Sequence, residues 1–263
     1  MGDNPLSAWV TRNGLTIVPI AFLLAIWEIA ARILNDPLSL PTLGAVLTKW
    51  WEMLSSGELV PHIWVSTGRS LAGFTVAAVL GIAIGLLMGR SQLLERLLNP
   101  LISFTYPIPK IGLLPLFILW FGLGEQMKAI VIFTAAIYPV IINTFTGIRG
   151  VPRVLVWRAR TFGASTHEIL FRVVLPAALP HILSGLRLAM GISWIVLFAA
   201  EMVAARTGLG FLILYSEQVF QTDVVFVALL TIALLGFLFD RFILLISHRL
   251  CDWYFRQAGE EAV

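Results

Sequence analysis

Long apolar stretches separated by polar segments dominate the pattern of this chain. A bilayer core of about 30 Å requires about 20 apolar helical residues for each crossing. Six stretches come close to that requirement, at residues 15–34, 69–89, 100–121, 127–148, 183–205 and 224–247. The pattern predicts an all-α polytopic membrane protein with about six transmembrane helices. We expect a single domain over residues 1–263, with its core at residues 65–250.

The apolar run at residues 100–121 differs from the others because it carries Pro107, Pro109 and Pro115, with Lys110 near its middle. Each interior proline removes a helix hydrogen bond and clashes with the preceding turn. We therefore expect this span to be broken. Broken helices at membrane depth are tolerated where they line a cavity. Lys110 is accordingly a candidate to line a path across the membrane.

The basic residues are distributed unevenly between the two sides that these spans define. With the N-terminus inside, four basic residues lie outside: Lys49, Arg69, Lys128 and Arg206. Ten lie inside: Arg12, Arg90, Arg96, Arg149, Arg153, Arg158, Arg160, Arg172, Arg249 and Arg256. The positive-inside rule then predicts that both termini are cytoplasmic. It also places residues 149–180, which we call the connecting loop, on the cytoplasmic face.

Composition agrees with a membrane protein and excludes other classes. Hydrophobic residues make up 59% of the chain and charged residues 13%, against about 25% charged in a soluble domain. The net charge of +3 does not indicate nucleic-acid binding, because the arginines lie in loops beside apolar runs.

A shorter helix is predicted between the first two spans. Leu43, Val46, Leu47, Trp50 and Leu54 recur at helical spacing. Such an amphipathic helix can lie on the outer membrane surface, with its tryptophans at the headgroup level. It can equally pack on the helix bundle, and the sequence leaves both arrangements open.

The second span carries a ridge of small residues at Gly81, Gly85 and Gly89, preceded by Gly73. Small residues four apart allow two helices to approach closely. The partner is another span of the same chain or a second copy of the chain. The intramolecular arrangement is the favoured of the two.

The connecting loop carries local signals for two short helices. Pro152 is suited to a first helical turn, and Gly163 is suited to end that helix in a left-handed conformation. Ser165 and Glu168 then form the sequence of a capping box. Pro176 is expected to close the second helix, and Pro180 to open the next span.

A simple connector between two spans would need only a few residues. The connecting loop is therefore interpreted as a structured element against which a partner docks. The alternative is a surface hairpin stabilised for its own sake.

The connecting loop resembles the cytoplasmic signature of ABC importer permeases, written EAA, three residues, G, nine residues, I-x-L-P. Ala159, Gly163, Leu175 and Pro176 occupy matching positions, and Val173 replaces the isoleucine. This chain departs from the signature where Trp157 and Arg158 replace the glutamate and the first alanine. The resemblance implies an ATPase-coupling surface made of Trp157, Arg158, Ala159, Gly163, Ala164, Ser165, Glu168, Val173, Leu175 and Pro176.

The resemblance extends over most of the chain. The segments LPLFILWFGLGE at residues 114–125, LPAALPHILSGLR at 175–187 and AAEMVAARTGLGFL at 199–212 look like the branch that serves sulfonate, taurine, nitrate and similar solutes. The resemblance implies a type I ABC importer permease in a bacterial inner membrane. It also implies a second permease copy, a separate ATPase subunit that binds ATP and magnesium, and an external or periplasmic solute-binding protein.

The chain itself lacks the sequence patterns of an enzyme. A P-loop requires a lysine in the frame G-x-x-x-x-G-K-[ST], and Lys49, Lys110 and Lys128 do not stand in one. HExxH, CxxC and GxSxG patterns are also missing from the sequence. We therefore expect no catalytic activity, no metal and no cofactor in this chain, with ATP hydrolysed by the partner.

Several charged residues fall inside the predicted spans, where a charge costs on the order of 2.5–3.5 kcal/mol. They are Glu28, Arg187, Glu201, Asp240 and Arg241. Arg187 and Glu201 are candidates for the translocation path, and ion pairs that lock the bundle are the alternative for each. Asp240 and Arg241 are neighbours and are expected to neutralise each other in part.

Two other functions account for less of the sequence than a permease does. A secondary transporter would use Glu28, Glu201 and Asp240 as proton or cation carriers, and it usually has an internal repeat, which this sequence does not show. A purely structural membrane protein would not account for the proline-broken span or the capped loop.

Overall fold

The structure, a computed structural model, describes residues 5–253, with side chains described from Val18 onward. Arg256 and the side chain of Arg12, which belong to the predicted cytoplasmic set, lie outside the described residues. The α-helices are α1 Pro5–Leu34, α2 Leu43–Ser55, α3 Leu59–Arg90, α4 Gln92–Thr105, α5 Leu114–Phe121, α6 Glu125–Arg149, α7 Arg153–Thr161, α8 Thr166–Ile169, α9 Leu175–Ala204, α10 Leu209–Gln218 and α11 Thr222–Leu250.

Four helical segments in the described part of the chain are long and apolar enough to cross a membrane: Leu59–Arg90, Glu125–Arg149, Thr166–Ala204 and Thr222–Leu250. They match four of the six predicted spans. The predicted first span falls within α1, whose side chains are described only in part. The predicted broken span corresponds to α4, a turn and the shorter apolar helix Ile111–Phe121.

The glycine ridge of α3 packs against α6. A Cβ added at Gly73 would lie 2.6 Å from the Cβ of Ile132, and one added at Gly85 would lie 2.6 Å from the Cβ of Thr144. Contacts this short do not occur between real side chains, so glycine is required for the observed approach. The ridge therefore serves intramolecular packing. The residue numbers of the contacting pairs increase together along the two helices, which shows that α3 and α6 run parallel.

Parallel packing of α3 and α6 requires the intervening chain to return from one end of the bundle to the other. Residues 91–124 make this return as α4, a proline-rich turn and α5. Helix α4 ends at Thr105, and the chain resumes as a 3₁₀ turn at Ile111–Leu113 before α5 begins. The predicted break is confirmed, and the broken segment crosses the bundle.

Helix α9 runs antiparallel to α6, because Gly147 of α6 lies against His181 while Gly185 of α9 lies against Asn143. The connecting loop joins these two helices at one end of the bundle, which we call the loop end. The opposite end, where α6 begins and α9 finishes, is the far end. Ser247 of α11 lines a cavity together with His181, so α11 finishes at the loop end.

Helix α2 packs on the bundle, with Val46 and Met53 buried against α10 and α11. The indole N–H of Trp50 donates a hydrogen bond of 3.1 Å to the hydroxyl of Thr231. Glu28 of α1 accepts a hydrogen bond of 2.9 Å from the backbone N–H of Leu43 and so holds the start of α2. Of the two arrangements left open by the sequence, α2 adopts the packed one.

Candidate functional site

The connecting loop forms the predicted two-helix unit. Helix α7 ends at Thr161, and Gly163 follows with a φ of +81°. The backbone N–H of Gly163 donates to the carbonyl of Arg160, and that of Ala164 donates to the carbonyl of Ala159. These bonds satisfy carbonyls at the end of α7, as a left-handed glycine cap does. The predicted left-handed turn is confirmed.

The capping box is also present. The Ser165 hydroxyl accepts a hydrogen bond from the backbone N–H of Glu168, and the Glu168 carboxylate accepts one of 2.9 Å from the backbone N–H of Ser165. Two unpaired donors at the start of α8 are thus satisfied reciprocally. Arg172 lies 3.7 Å from the same carboxylate. The second helix of the loop therefore begins at a defined residue with a fixed direction.

The predicted proline stop after that helix is wrong. Helix α8 passes through a π-helical turn at Leu170–Val174 directly into α9. The backbone N–H of Leu175 donates to the carbonyl of Leu170, five residues earlier. Because Pro176 then lies in the first turn of α9, its missing N–H costs little. Pro180 likewise lies inside α9 and does not open a new helix.

Large apolar side chains of the connecting loop face outward. Phe162 is 89% exposed and Trp157 is 59% exposed, and Phe171 is also exposed. Arg158 and Arg160 are exposed on the same helix as Trp157. Aromatic and arginine side chains together are the composition of protein interfaces. Phe162 was not among the predicted site residues, although its place before the turning glycine could have suggested an exposed tip.

The remaining predicted loop residues join this surface to the bundle. Val174 and Leu175 pack on a buried cluster of Ile148, Ala178 and Ile182. Ala159, Ala164 and Val173 are half-buried, while Pro176 is exposed. The loop is therefore continuous with α9 and packs on a cluster that includes Ile148 of α6.

Lys110 lies in the turn that breaks the α4–α5 crossing. Its Nζ donates hydrogen bonds of 2.6 Å to the carbonyl of Thr105 and 2.9 Å to the carbonyl of Ile108. The same atom lies 4.7 Å from the centre of the Tyr138 ring. A cavity of about 230 Å³ is lined by Lys110, Tyr106, Tyr138, Ile192, Val196 and three further residues. The sequence identified Lys110, but it did not identify the two tyrosines.

Glu201 lies at the far end of the bundle and is only 1% exposed. Its carboxylate accepts hydrogen bonds from the Ser66 hydroxyl, from the Arg69 guanidinium at 2.7 Å and from the backbone N–H of Gly210 at 2.9 Å. Arg69 also forms a two-pronged pair with Glu125, at 2.5 and 2.6 Å. This network ties α3, α6, α9 and α10 together, which favours the alternative of an ion pair that locks the bundle.

Arg187 pairs with Asp240 between α9 and α11 through two hydrogen bonds, one of which measures 2.8 Å. Both side chains are partly exposed. The expected neutralisation of Asp240 by its neighbour Arg241 is not the main contact, because the Arg241 guanidinium lies over the Phe237 ring at 4.8 Å. Helical neighbours point about 100° apart, so Asp240 and Arg241 face different surroundings.

These features define a class of protein: a helical membrane protein whose parallel and antiparallel spans pack beside a broken crossing, with a two-helix loop at one end. The chain belongs to the family of binding-protein-dependent transport system inner membrane components, whose model matches residues 77–251. It is thus a multi-pass membrane permease of the ABC importer type, with an all-α fold.

The names of three relatives agree with this family. The chain is 38% identical over 234 residues to the putative aliphatic sulfonates transport permease protein of Bacillus subtilis (strain 168), covering 89% of this chain and 85% of the relative. It is 36% identical over 256 residues to the taurine transport system permease protein of Escherichia coli (strain K12), covering 95% and 92%. It is 37% identical over 238 residues to a putative ABC transporter permease protein of Methanocaldococcus jannaschii, covering 89% of each chain.

The fold agrees with a solved structure as well. A chain of the MetNI methionine ABC transporter in an inward-facing conformation superimposes with a TM-score of 0.64 at 20% sequence identity. The match covers 73% of this chain and 95% of the other. At that identity the likeness concerns the fold alone.

Proposed function

We propose that this chain is the membrane-spanning subunit of an ATP-driven importer. A separate ATPase subunit docks on the connecting loop and hydrolyses ATP with bound magnesium. An external solute-binding protein delivers a small solute at the far end. Two copies of the chain form the translocation path, and both termini are cytoplasmic, in a bacterial inner membrane.

The single observation that carries this proposal is the exposed, rigid connecting loop. Phe162 stands at the tip of a left-handed turn and is 89% exposed, beside the exposed Trp157. An aromatic side chain held in this way is stabilised when a partner covers it. Because Leu175 packs on a cluster that joins Ile148 of α6 to Ala178 and Ile182 of α9, a displacement of the loop by the ATPase would move α6 and α9 together.

The arginines support the proposed orientation. Arg90, Arg96, Arg149, Arg153 and Arg158 lie at the loop end or in the loop, as the positive-inside rule requires for a cytoplasmic face. Arg149 pairs with Glu95 at that end, so α4 and α6 are joined there. The far end carries fewer basic residues, and Arg69 and Lys128 there share the carboxylate of Glu125.

The proposed solute is a sulfonate, taurine, nitrate or a similar small molecule. The relatives named for aliphatic sulfonates and taurine support this range. A secondary transporter receives less support, because each of its proposed carriers is already engaged in an ion pair. Glu28 pairs with Arg32, Glu201 with Arg69 and Asp240 with Arg187.

The proposal is tested by affinity purification of the tagged full chain in mild detergent, followed by mass spectrometry and an ATPase assay. We expect a P-loop ATPase to co-purify with the unchanged chain. Phe162→Ser should abolish this co-purification, because the aromatic anchor at the tip of the loop is lost. The matched control is Phe220→Ser, which removes a phenylalanine that is 76% exposed at the far end.

Retention of the ATPase by the Phe162→Ser variant would contradict the proposed docking surface. Loss of the ATPase with Phe220→Ser would show that the effect is a general loss of the fold. A well-expressed chain that purifies without any ATPase would contradict the proposed function itself.

A further inference from the structure

The break between α4 and α5 places a cavity beside the middle of α6, a helix long enough to cross a membrane. Tyr138, which lines it, stands thirteen residues after Glu125 and eleven before Arg149. At about 1.5 Å per residue it lies roughly 20 Å from one end of α6 and roughly 16 Å from the other. The cavity volume of about 230 Å³ exceeds the ~30 Å³ that one water molecule occupies in the liquid.

Lys110 brings to this cavity a positive charge that has no carboxylate partner among the described side chains. In the part of the chain whose side chains are described, Lys110 forms no ion pair, and its ammonium group is held by backbone carbonyls and the Tyr138 ring. Arg69, Lys128 and Arg187 differ, since each is paired with a carboxylate. A charge at membrane depth is costly without a counterion. Lys110 therefore lacks the carboxylate partner that these three cations have, and Arg241, which lies over the Phe237 ring, is another described span cation without one.

The walls of the cavity specify what could neutralise this charge. Tyr106 and Tyr138 lie side by side, with ring centres 5.7 Å apart. Neither hydroxyl forms a hydrogen bond to another described residue, so both can donate to a guest. Ile111, Ile192 and Val196 supply apolar walls. A cation, two hydroxyl donors and apolar walls fit a small anion that carries a short apolar group.

We propose that the Lys110–Tyr106–Tyr138 cavity is an anion-binding site on the translocation path, which admits small organic anions such as alkanesulfonates and rejects cations. This inference rests on the proposed function, because it assigns a substrate class and a selecting residue to the same path. The anion replaces the missing counterion of Lys110 while it crosses. The two tyrosine hydroxyls bind its oxygens.

The test uses two thiol reagents of opposite charge on the full chain in phosphatidylcholine vesicles. One reagent is 2-sulfonatoethyl methanethiosulfonate, itself an alkanesulfonate, and the other is the trimethylammonium analogue. The single native thiol is removed by Cys251→Ser, and Ile192→Cys places one thiol in the cavity wall. We measure the ratio of the two modification rates, in which any change of the thiol's own reactivity cancels.

We expect this ratio to exceed that of Ser55→Cys, an exposed position on α2, and to fall on the order of tenfold when Lys110→Gln removes the charge. Lys110→Arg should restore it, because the charge is kept. The proposal is overturned if the ratio equals the Ser55→Cys value or if Lys110→Gln leaves the ratio unchanged. Failure of both reagents to modify the cavity thiol also overturns it.

A lipid headgroup could supply the same anionic chemistry as a solute, and a protection assay separates the two. Sodium methanesulfonate in phosphatidylcholine vesicles should slow modification of Ile192→Cys. Protection only by added phosphatidylglycerol would assign the cavity to lipid and overturn the solute path. None of these measurements requires an ATPase, so their failure is distinguishable from failure of the proposed importer function.

Discussion

At the scale of single residues, Gly163 and Glu201 show two different ways in which a position is constrained. A Cβ at Gly163 would meet no atom within 4 Å, so space does not require glycine there. Its backbone φ of +81° requires glycine instead, because residues other than glycine, asparagine and aspartate rarely adopt that conformation. Glu201 is constrained by its partners, since a buried carboxylate needs all of its donors.

Replacing Gly163 by valine should uncouple ATP hydrolysis from solute uptake. The β-branched side chain strains the left-handed turn by about 1–3 kcal/mol and redirects the start of α8. Uptake per ATP hydrolysed, measured in vesicles, should fall at least fivefold. Gly163→Asn is the matched control, because asparagine tolerates this φ. Normal coupling in a well-expressed Gly163→Val variant would contradict the account of the turn.

Replacing Glu201 by glutamine should destabilise the bundle by about 3 kcal/mol, because Arg69 loses its buried carboxylate partner and keeps only the exposed Glu125. The midpoint of thermal unfolding in detergent measures the effect. Glu52→Gln is the control, since Glu52 forms an exposed pair with Lys49 of a kind that contributes about 0–1 kcal/mol. Equal midpoints for the two variants would show that the far-end network does not lock the bundle.

At the scale of helices, the sequence predicted most of the spans, because membrane helices must be long and apolar. It predicted the break near Lys110, since Pro107 and Pro109 remove helical hydrogen bonds there. It failed at Pro176, where a π-helical turn at Leu170–Val174 carries the chain into α9. Propensity rules describe proline in α-helices and do not anticipate a π-helical turn, and the packing of Val174 and Leu175 on a buried cluster is not displayed by a sequence pattern.

The glycine ridge provides a prediction at this scale. Gly85→Ala should destabilise the chain by about 1–3 kcal/mol, because its Cβ would lie 2.6 Å from the Cβ of Thr144 and 2.9 Å from the carbonyl oxygen of Ile141. Gly68→Ala is the matched control on the same helix, where the added Cβ meets no atom within 4 Å. Thermal unfolding of both variants in detergent checks this. A Gly85→Ala variant as stable as Gly68→Ala would contradict the close approach of α3 and α6.

The pairing of membrane charges could not be predicted from the sequence. Arg69 and Glu201 are 132 residues apart, and Arg187 and Asp240 are 53 apart. Only the arrangement of the helices brings each pair together. The sequence pattern places Arg69 among the outer basic residues and assigns it no partner. The two tyrosines beside Lys110 were missed for the same reason.

At the scale of the whole molecule, the two ends of the bundle differ in construction. The far end is locked by the buried network around Arg69 and Glu201. The loop end carries an exposed aromatic tip at Phe162 and a rigid continuation into α9. The broken crossing lies between them, with Lys110 in its turn. A force applied to the loop would therefore reach the middle of the membrane through α6 and α9.

The most direct test of this account is solute uptake by vesicles that contain the chain, its co-purified ATPase and the binding protein. Labelled taurine, methanesulfonate and nitrate serve as probes, with ATP supplied on the ATPase side. The account predicts that uptake of at least one probe requires ATP and the binding protein and is lost with Phe162→Ser. Uptake that continues without ATP and follows an imposed proton or sodium gradient would contradict it.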